Sequence, residues 1–367
     1  MTEASFQPDW FSCPGDTIAL LMEQYSVSGD ELADGLNCDR DTIRGLLTGA
    51  IRIDDQIAEN LSAILGGTRG YWRNRHENYE KTLARLFDHN LEDSNLEWAR
   101  KIPKKDFLGS GDLFQTRKQS DQIKSRLAFF GVSNPDEWRR QYTDLLDKVV
   151  FRTSPSFESQ LAPLSIWLRR GEIEATLAKC EKWDRDQLRA RLDELRNQVK
   201  SKSLPQYISN IRRVCAECGV ALVFVKAPTG CRASGATRIL SSDKAMILLS
   251  FRYLSDDHFW FTFFHEIGHL LLHGDSSTFV DGDEIDNSDK EKEANAFSAS
   301  ILIPIDCQEK LFDIKLRTKE IVRFAVSVGV SPGVVVGQLQ HLKLIGPQQF
   351  NFLKRRYSWD EVSEAFG

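Results

Sequence analysis

The chain has 367 residues, 41% of them hydrophobic and 28% charged, with a formal net charge of −5. This is enough apolar material for two or three domains with cores of their own. The acidic balance argues against a general nucleic-acid or anionic-membrane binder and leaves room only for a local basic patch. No apolar run approaches the roughly 20 residues of a membrane span, and MTEASFQPDW has neither the basic start nor the apolar core of a signal peptide. A cytosolic protein with no membrane partner is expected. Seven scattered cysteines, an odd number, read as reduced thiols.

From Pro14 to about Phe87 the pattern is a series of short amphipathic helices. PGDTIALLMEQY carries Ile18, Leu21, Met22 and Tyr25 at helical spacing. SGDELADGLNCDRDTIRGLLTG predicts two helices joined by a tight turn, with Ser28 as N-cap and Asn37 in a left-handed conformation. Leu32, Ala33, Leu36, Ile43 and Leu46 form their shared core in this reading, the layout of a helix-turn-helix. With DDQIAENLSAILG and TRGYWRNRHENYEKTLARLF, the segment resembles the HigA-like branch of Cro/repressor-type domains. If the domain binds operator DNA, Arg40, Thr42 and Arg44 are the residues to reach the groove, with Arg52 near the backbone. Helix-turn-helix readers usually act as dimers, so a homodimer follows if DNA binding holds. The local charge opposes DNA: Asp39 and Asp41 flank Arg40, and over the first 90 residues acids outnumber bases roughly two to one. Operator binding and protein docking both remain open for this domain.

Between about Leu91 and Ser201 the chain reads as charged amphipathic helices with no evident chemistry. KIPKKDFLGSGDLF is the one loop-like interruption. Trp138, Trp167 and Trp183 are expected in packing roles. FRTSPSFESQLAPLSIWLRRGEIEA resembles the connector found between a HigA-like domain and an ImmA/IrrE domain, and it reads as a rigid arm.

Beyond residue 201 a helix, LPQYISNIRRVCAECG, ends at Gly219. Its Cys215 and Cys218 form a lone C-x-x-C, read as two small apolar side chains on a helix. VALVFV, RASGATRIL and KAMILLSF predict three short strands. RASGATRIL, with Gly235 inside it, is the candidate edge strand for pairing with an extended substrate.

The chemistry lies in DHFWFTFFHEIGHLLLHG, residues 257–274. His265 and His269 are four apart, so on a helix both imidazoles project from one face and can share one ion. Glu266 sits on the adjacent edge, where a carboxylate can take a proton from metal-activated water; this is the H-E-x-x-H pattern. Buried in an apolar helix, these three polar groups need partners, because an unpaired one costs a few kcal/mol. A third ligand is expected on EKEANAFSASILIP. Glu291 shares a helix face with Ala294, Asn295, Ser298 and Leu302, whereas Glu293 is turned more than a quarter circle away. Glu291 is therefore the better ligand, and Asn295, one turn on, is placed to hydrogen-bond a ligating His. Two His, one Glu and an open position are the composition of a hydrolytic zinc site.

These stretches closely resemble the metallopeptidase domain of the ImmA/IrrE family, bacterial and phage proteins that cleave or relieve repressors. The resemblance extends over GVALVFVKAPTGCRASGATRILSSDKAMILLSFRY and GVSPGVVVGQLQH. It implies zinc held by His265, His269 and Glu291, Glu266 as general base, and a repressor- or antitoxin-like protein as substrate. TKEIVRFAVSVGVSPGVVVGQLQHLKLI predicts two short helices, with Gly333 and Gly337 favouring packing around the site. His273 and His341 are either oxyanion stabilisers or structural groups.

The resulting expectation is a mainly α, α+β protein: a helix-turn-helix bundle over 1–90, a helical connector over 91–200 and a zincin-like domain with a small sheet over 201–367. The leading functional expectation is a zinc endopeptidase. The alternative is a DNA-binding regulator or antitoxin whose peptidase fold serves as a sensor or scaffold.

Overall fold

The computed structural model describes residues 12–89, 93–102, 119–146, 155–274, 279–282 and 289–366. The loop-like stretch KIPKKDFLGSGDLF lies almost wholly outside them. The architecture is mainly helical with one small sheet. The chain divides into two compact units: one takes in residues 1–146 and 151–179, the other residues 147–150 and 180–367. Among the described residues no single helix is long and apolar enough to cross a membrane.

In the first unit, α1 (Pro14–Gln24), α2 (Gly29–Leu36), α3 (Arg40–Leu47), α4 (Asp55–Leu65) and α5 (Arg69–His89) are followed by α6 (Asp93–Lys101), α7 (Gln119–Phe130), α8 (Pro135–Leu146) and α9 (Pro155–Leu177). Ser28 caps α2 and takes part in a capping box with Glu31, while Asn37 ends the helix at φ 51°. Leu32, Ala33, Leu36, Ile43 and Leu46 are all buried, as their spacing requires. Tyr25 departs from its expected place: it lies just past the end of α1 and is 52% exposed. Trp138 and Trp167 are fully buried.

In the second unit, α10 (Leu204–Glu217) precedes β1 (Val220–Phe224), β2 (Ala233–Ser241) and β3 (Lys244–Leu249). Next come α11 (Asp256–His273), β4 (Phe279–Gly282), α12 (Asp289–Leu302), α13 (Thr318–Val328), α14 (Pro332–His341) and α15 (Trp359–Phe366). The strand order is β1-β3-β2-β4. β1 runs parallel to β3, and β2 is antiparallel to both β3 and β4. This corrects the reading of RASGATRIL as an edge. β2 is flanked on both sides, because β4 pairs with Ala233 to Thr237. A four-residue strand is too short to carry a periodic signal, which is why β4 is absent from the sequence reading.

The apolar face of α11 supplies the core: Trp260, Phe263, Phe264, Ile267 and Leu270 are buried together with Ile208 and Ile211 of α10 and Ile247 of β3. Cys215 and Cys218 belong to the same core and Trp183 packs against it; all seven cysteines are unpaired. The start of α11 is pinned by charge. Asp256 is wholly buried, accepts from Ser331 Oγ at 2.6 Å and from the backbone N–H of Arg355 at 3.0 Å, and so ties α11 to α14 and to the chain before α15. Burial raises its carboxyl above the usual range, partly offset by the Ser331 hydrogen bond. α14 approaches this closely only because of glycine. A Cβ at Gly333 would lie 2.3 Å from Asp256 Oδ1, and one at Gly337 would lie 2.9 Å from Asp257 Oδ2.

Gly333→Ala is accordingly expected to destabilise the protein by about 1–3 kcal/mol, read as a lower urea midpoint. Burial pushes the Cys231 thiol up to about 11, so its thiolate at pH 8 is about one part in a thousand. Mass-spectrometric mapping after iodoacetamide treatment of native protein at pH 8 should find Cys231, Cys215 and Cys13 unmodified, and all three alkylated in urea.

Candidate metal centre

α11 and α12 cross where side chains are small. A Cβ at Gly268 would meet the Ala294 Cα at 3.3 Å, so the two helix backbones come close. Ser298 fixes the crossing by donating to the Phe261 carbonyl at 2.8 Å. Ala294, Ser298 and Leu302 of α12 are buried. The same face turns Glu291 inward, while Glu293 is 61% exposed and pairs with His273 at 3.5 Å. The helical phase therefore places the two carboxylates as the spacing required.

Three groups converge at the crossing. His265 Nε2 and His269 Nε2 are 2.9 Å apart. Glu291 reaches both, with Oε2 at 3.1 Å from His265 Nε2 and Oε1 at 3.3 Å from His269 Nε2. Both imidazoles are buried to within 1%. Asn295 Oδ1 lies 3.0 Å from His265 Nδ1, so with the proton on Nδ1 it accepts that hydrogen bond and Nε2 presents its lone pair to the centre.

Lone pairs and carboxylate oxygens this close need one positive particle among them, a proton or a metal ion. Burial lowers the pKa of His269, with the Glu291 hydrogen bond opposing. Burial alone would raise Glu291, but its contacts with His265 and His269 outweigh that and hold its carboxyl at about 2. The donor set is a pair of imidazoles and a carboxylate, the kind a divalent ion binds when the imidazoles are neutral. Its ligand atoms lie within 4.8 Å of one another. A tetrahedral centre with bonds of about 2.0–2.2 Å separates its donors by roughly 3.3–3.6 Å, so the residues fit a metal with little adjustment.

Residues 225–339 match the family model Peptidase_M78, described as the IrrE N-terminal-like domain. The family is of metallopeptidase type. The match covers just under a third of the chain and takes in His265, Glu266, His269, Glu291 and Asn295. No curated protein and no solved structure matches the chain.

Glu266 is fully buried on the sheet side of α11. Thr237 of β2 donates to its Oε2 at 2.6 Å, and Gly235 makes room for the carboxylate, since a Cβ there would sit 2.3 Å from Oε1. Sequence reasoning missed Thr237. Its one signal, a hydroxyl residue on the inward side of a strand, is shared by many structural threonines. His273 contacts the Lys290 carbonyl at 3.2 Å and packs 5.6 Å from the His269 ring, at the far end of α11. His341 lies on the other flank, 6.3 Å from the Phe261 ring.

Arg40, Thr42 and Arg44 belong to the first unit and take no part in this centre. Each is engaged locally. Arg40 pairs with Asp30 at 3.3 Å, and Thr42 donates its hydroxyl to the Asp39 carboxylate at 2.7 Å. Arg44 donates to both Glu174 oxygens, at 2.6 and 3.2 Å, and to Asp41 at 2.6 Å. Arg52 lies 3.6 Å from Glu80.

Thr237→Val keeps the shape of the side chain and removes the donor to Glu266. A loss of about 1–3 kcal/mol is expected in urea unfolding, because a buried carboxylate loses a hydrogen bond. An unchanged midpoint would show that Thr237 does not hold Glu266.

Proposed function

We propose that the chain is a zinc-dependent endopeptidase acting on a regulatory protein of the repressor or antitoxin kind. The observation that carries this reading is the convergence of His265, His269 and Glu291 in one buried spot beside a separately held carboxylate, Glu266. Two histidines and one carboxylate leave a coordination position open, which distinguishes hydrolytic zinc sites from closed structural ones. When bound, zinc supplies Lewis acidity, polarising a peptide carbonyl and bringing the pKa of a water to about 7.

The remaining steps belong to the chain. Glu266 takes the proton of the attacking water and returns it to the leaving amine. Thr237 anchors one carboxylate oxygen through its 2.6 Å hydrogen bond and fixes the direction of transfer. Asn295 orients His265 by accepting from Nδ1. The choice of a regulatory substrate rests on the resemblance to repressor-relieving peptidases. The regulator alternative rests on the helix-turn-helix resemblance of the first 90 residues, where Arg40 pairs with Asp30 and Arg44 with Glu174 within their own unit.

Protein refolded or dialysed with zinc should hold about one ion per chain by atomic emission. Glu266→Gln should keep that ion and lose cleavage by at least about a hundredfold. The substrate is sought by comparing neighbouring gene products, or an intact proteome, after incubation with either form. A Glu266→Gln protein that cleaves as well as the parent would end this reading. Asn295→Ala should weaken zinc affinity about 10–100-fold, measured by competition with a chelating dye.

A further inference from the structure

A cavity of about 630 Å³ opens within the second unit beside α11, one helical turn before His265 and Glu266. Its size falls in the roughly 300–1,000 Å³ range of small-ligand sites, enough for one large side chain and its flanking backbone. Phe261, Leu302 and Val334 give it an apolar wall, and the Phe261 ring lies 6.2 Å from the ring of His265. Phe261 is thus shared between the cavity wall and the surroundings of the candidate centre.

Its polar lining is arranged for a guest. Gln338 is only 7% exposed and lines the cavity, yet its side-chain amide has no hydrogen-bond partner among the described residues. The amide's polar atoms open onto the cavity rather than being sealed in protein, so a ligand offering both a donor and an acceptor would take the place of water there. Thr262, 8% exposed, also lines the space; its methyl faces Gly235, and its hydroxyl has no partner among the described residues. Lys354 Nζ is 2.6 Å from Asp257 Oδ2 and 2.7 Å from Gln340 Oε1, which uses two of its three N–H groups. Asp257 pairs with the ammonium, and the imidazoles of His258, 4.0 Å from the same carboxylate, and His341 also line the space. An anionic guest would meet Asp257 and a cationic one Lys354, each without a counter-ion of its own.

We infer that this cavity is the side-chain subsite of the peptidase proposed above, and that it takes a large uncharged residue with a hydrogen-bonding tip, glutamine or tyrosine, next to the cleaved bond. The inference rests on that proposal for its role in cleavage. Its binding chemistry is testable without any cleavage.

The full chain carrying Glu266→Gln is titrated with N-acetyl amides of glutamine, tyrosine, leucine, glutamate and lysine, with binding followed by NMR. The glutamine and tyrosine probes should bind at least about tenfold more tightly than the other three, because a guest that displaces the amide's water without replacing its hydrogen bonds loses affinity. Adding Gln338→Leu should erase the preference and bring the leucine probe level with the other two, while Gln338→Asn should retain it in part. Equal binding of all five probes, binding of none, or a preference that survives Gln338→Leu would overturn the inference. Failure of the peptidase reading itself would show in zinc content and in cleavage by the parent protein, neither of which enters this titration.

Discussion

Everything in the second unit answers to one electrostatic demand: two imidazoles and a carboxylate brought within about 3 Å of one another inside an apolar core. Such a cluster is unfavourable unless a positive particle sits among the lone pairs. The helix crossing at Gly268, the Ser298 hydrogen bond and the reach of Asn295 to His265 hold the three donors in register against that cost. The arrangement is that of a group able to hold a cation, with the desolvation of its donors incurred by folding.

A second device supports the first from the other end of α11. Asp256 and Asp257 are buried where a helix normally keeps its acids in water, and each has a specific partner: Ser331 and the Arg355 N–H for one, Lys354 for the other. Acids in the first turn also favour the helix dipole. Gly333 and Gly337, one turn apart on α14, allow a third helix to close over these charges. The rotation of α11 about its axis is thereby set from both ends, and with it the direction in which His265, Glu266 and His269 point.

The first unit handles charge differently. Its basic side chains on α3 are spent on acids, Arg40 on Asp30 and Arg44 on Asp41 and Glu174. The bidentate contact of Arg44 with Glu174 joins α3 to α9 within the first unit. A guanidinium held at both nitrogens by one carboxylate is a fixed strut and presents little charge to solvent.

Periodicity alone determined much of this protein. Four-residue spacing put His265 and His269 on one face, helical phase chose Glu291 over Glu293, and Asn295 followed one turn on, because side-chain direction on a helix is a local property. Ser28 and Asn37 were equally legible, since caps depend on a few adjacent residues. Tertiary structure decided what local pattern cannot encode. β4 covers β2 because a short return segment finds its register there, which moves the sheet edge away from RASGATRIL. Thr237 reaches Glu266 across 29 residues, and Gln338 faces a cavity shared with Lys354, because strand and helix faces acquire chemical meaning only once the chain has packed against itself.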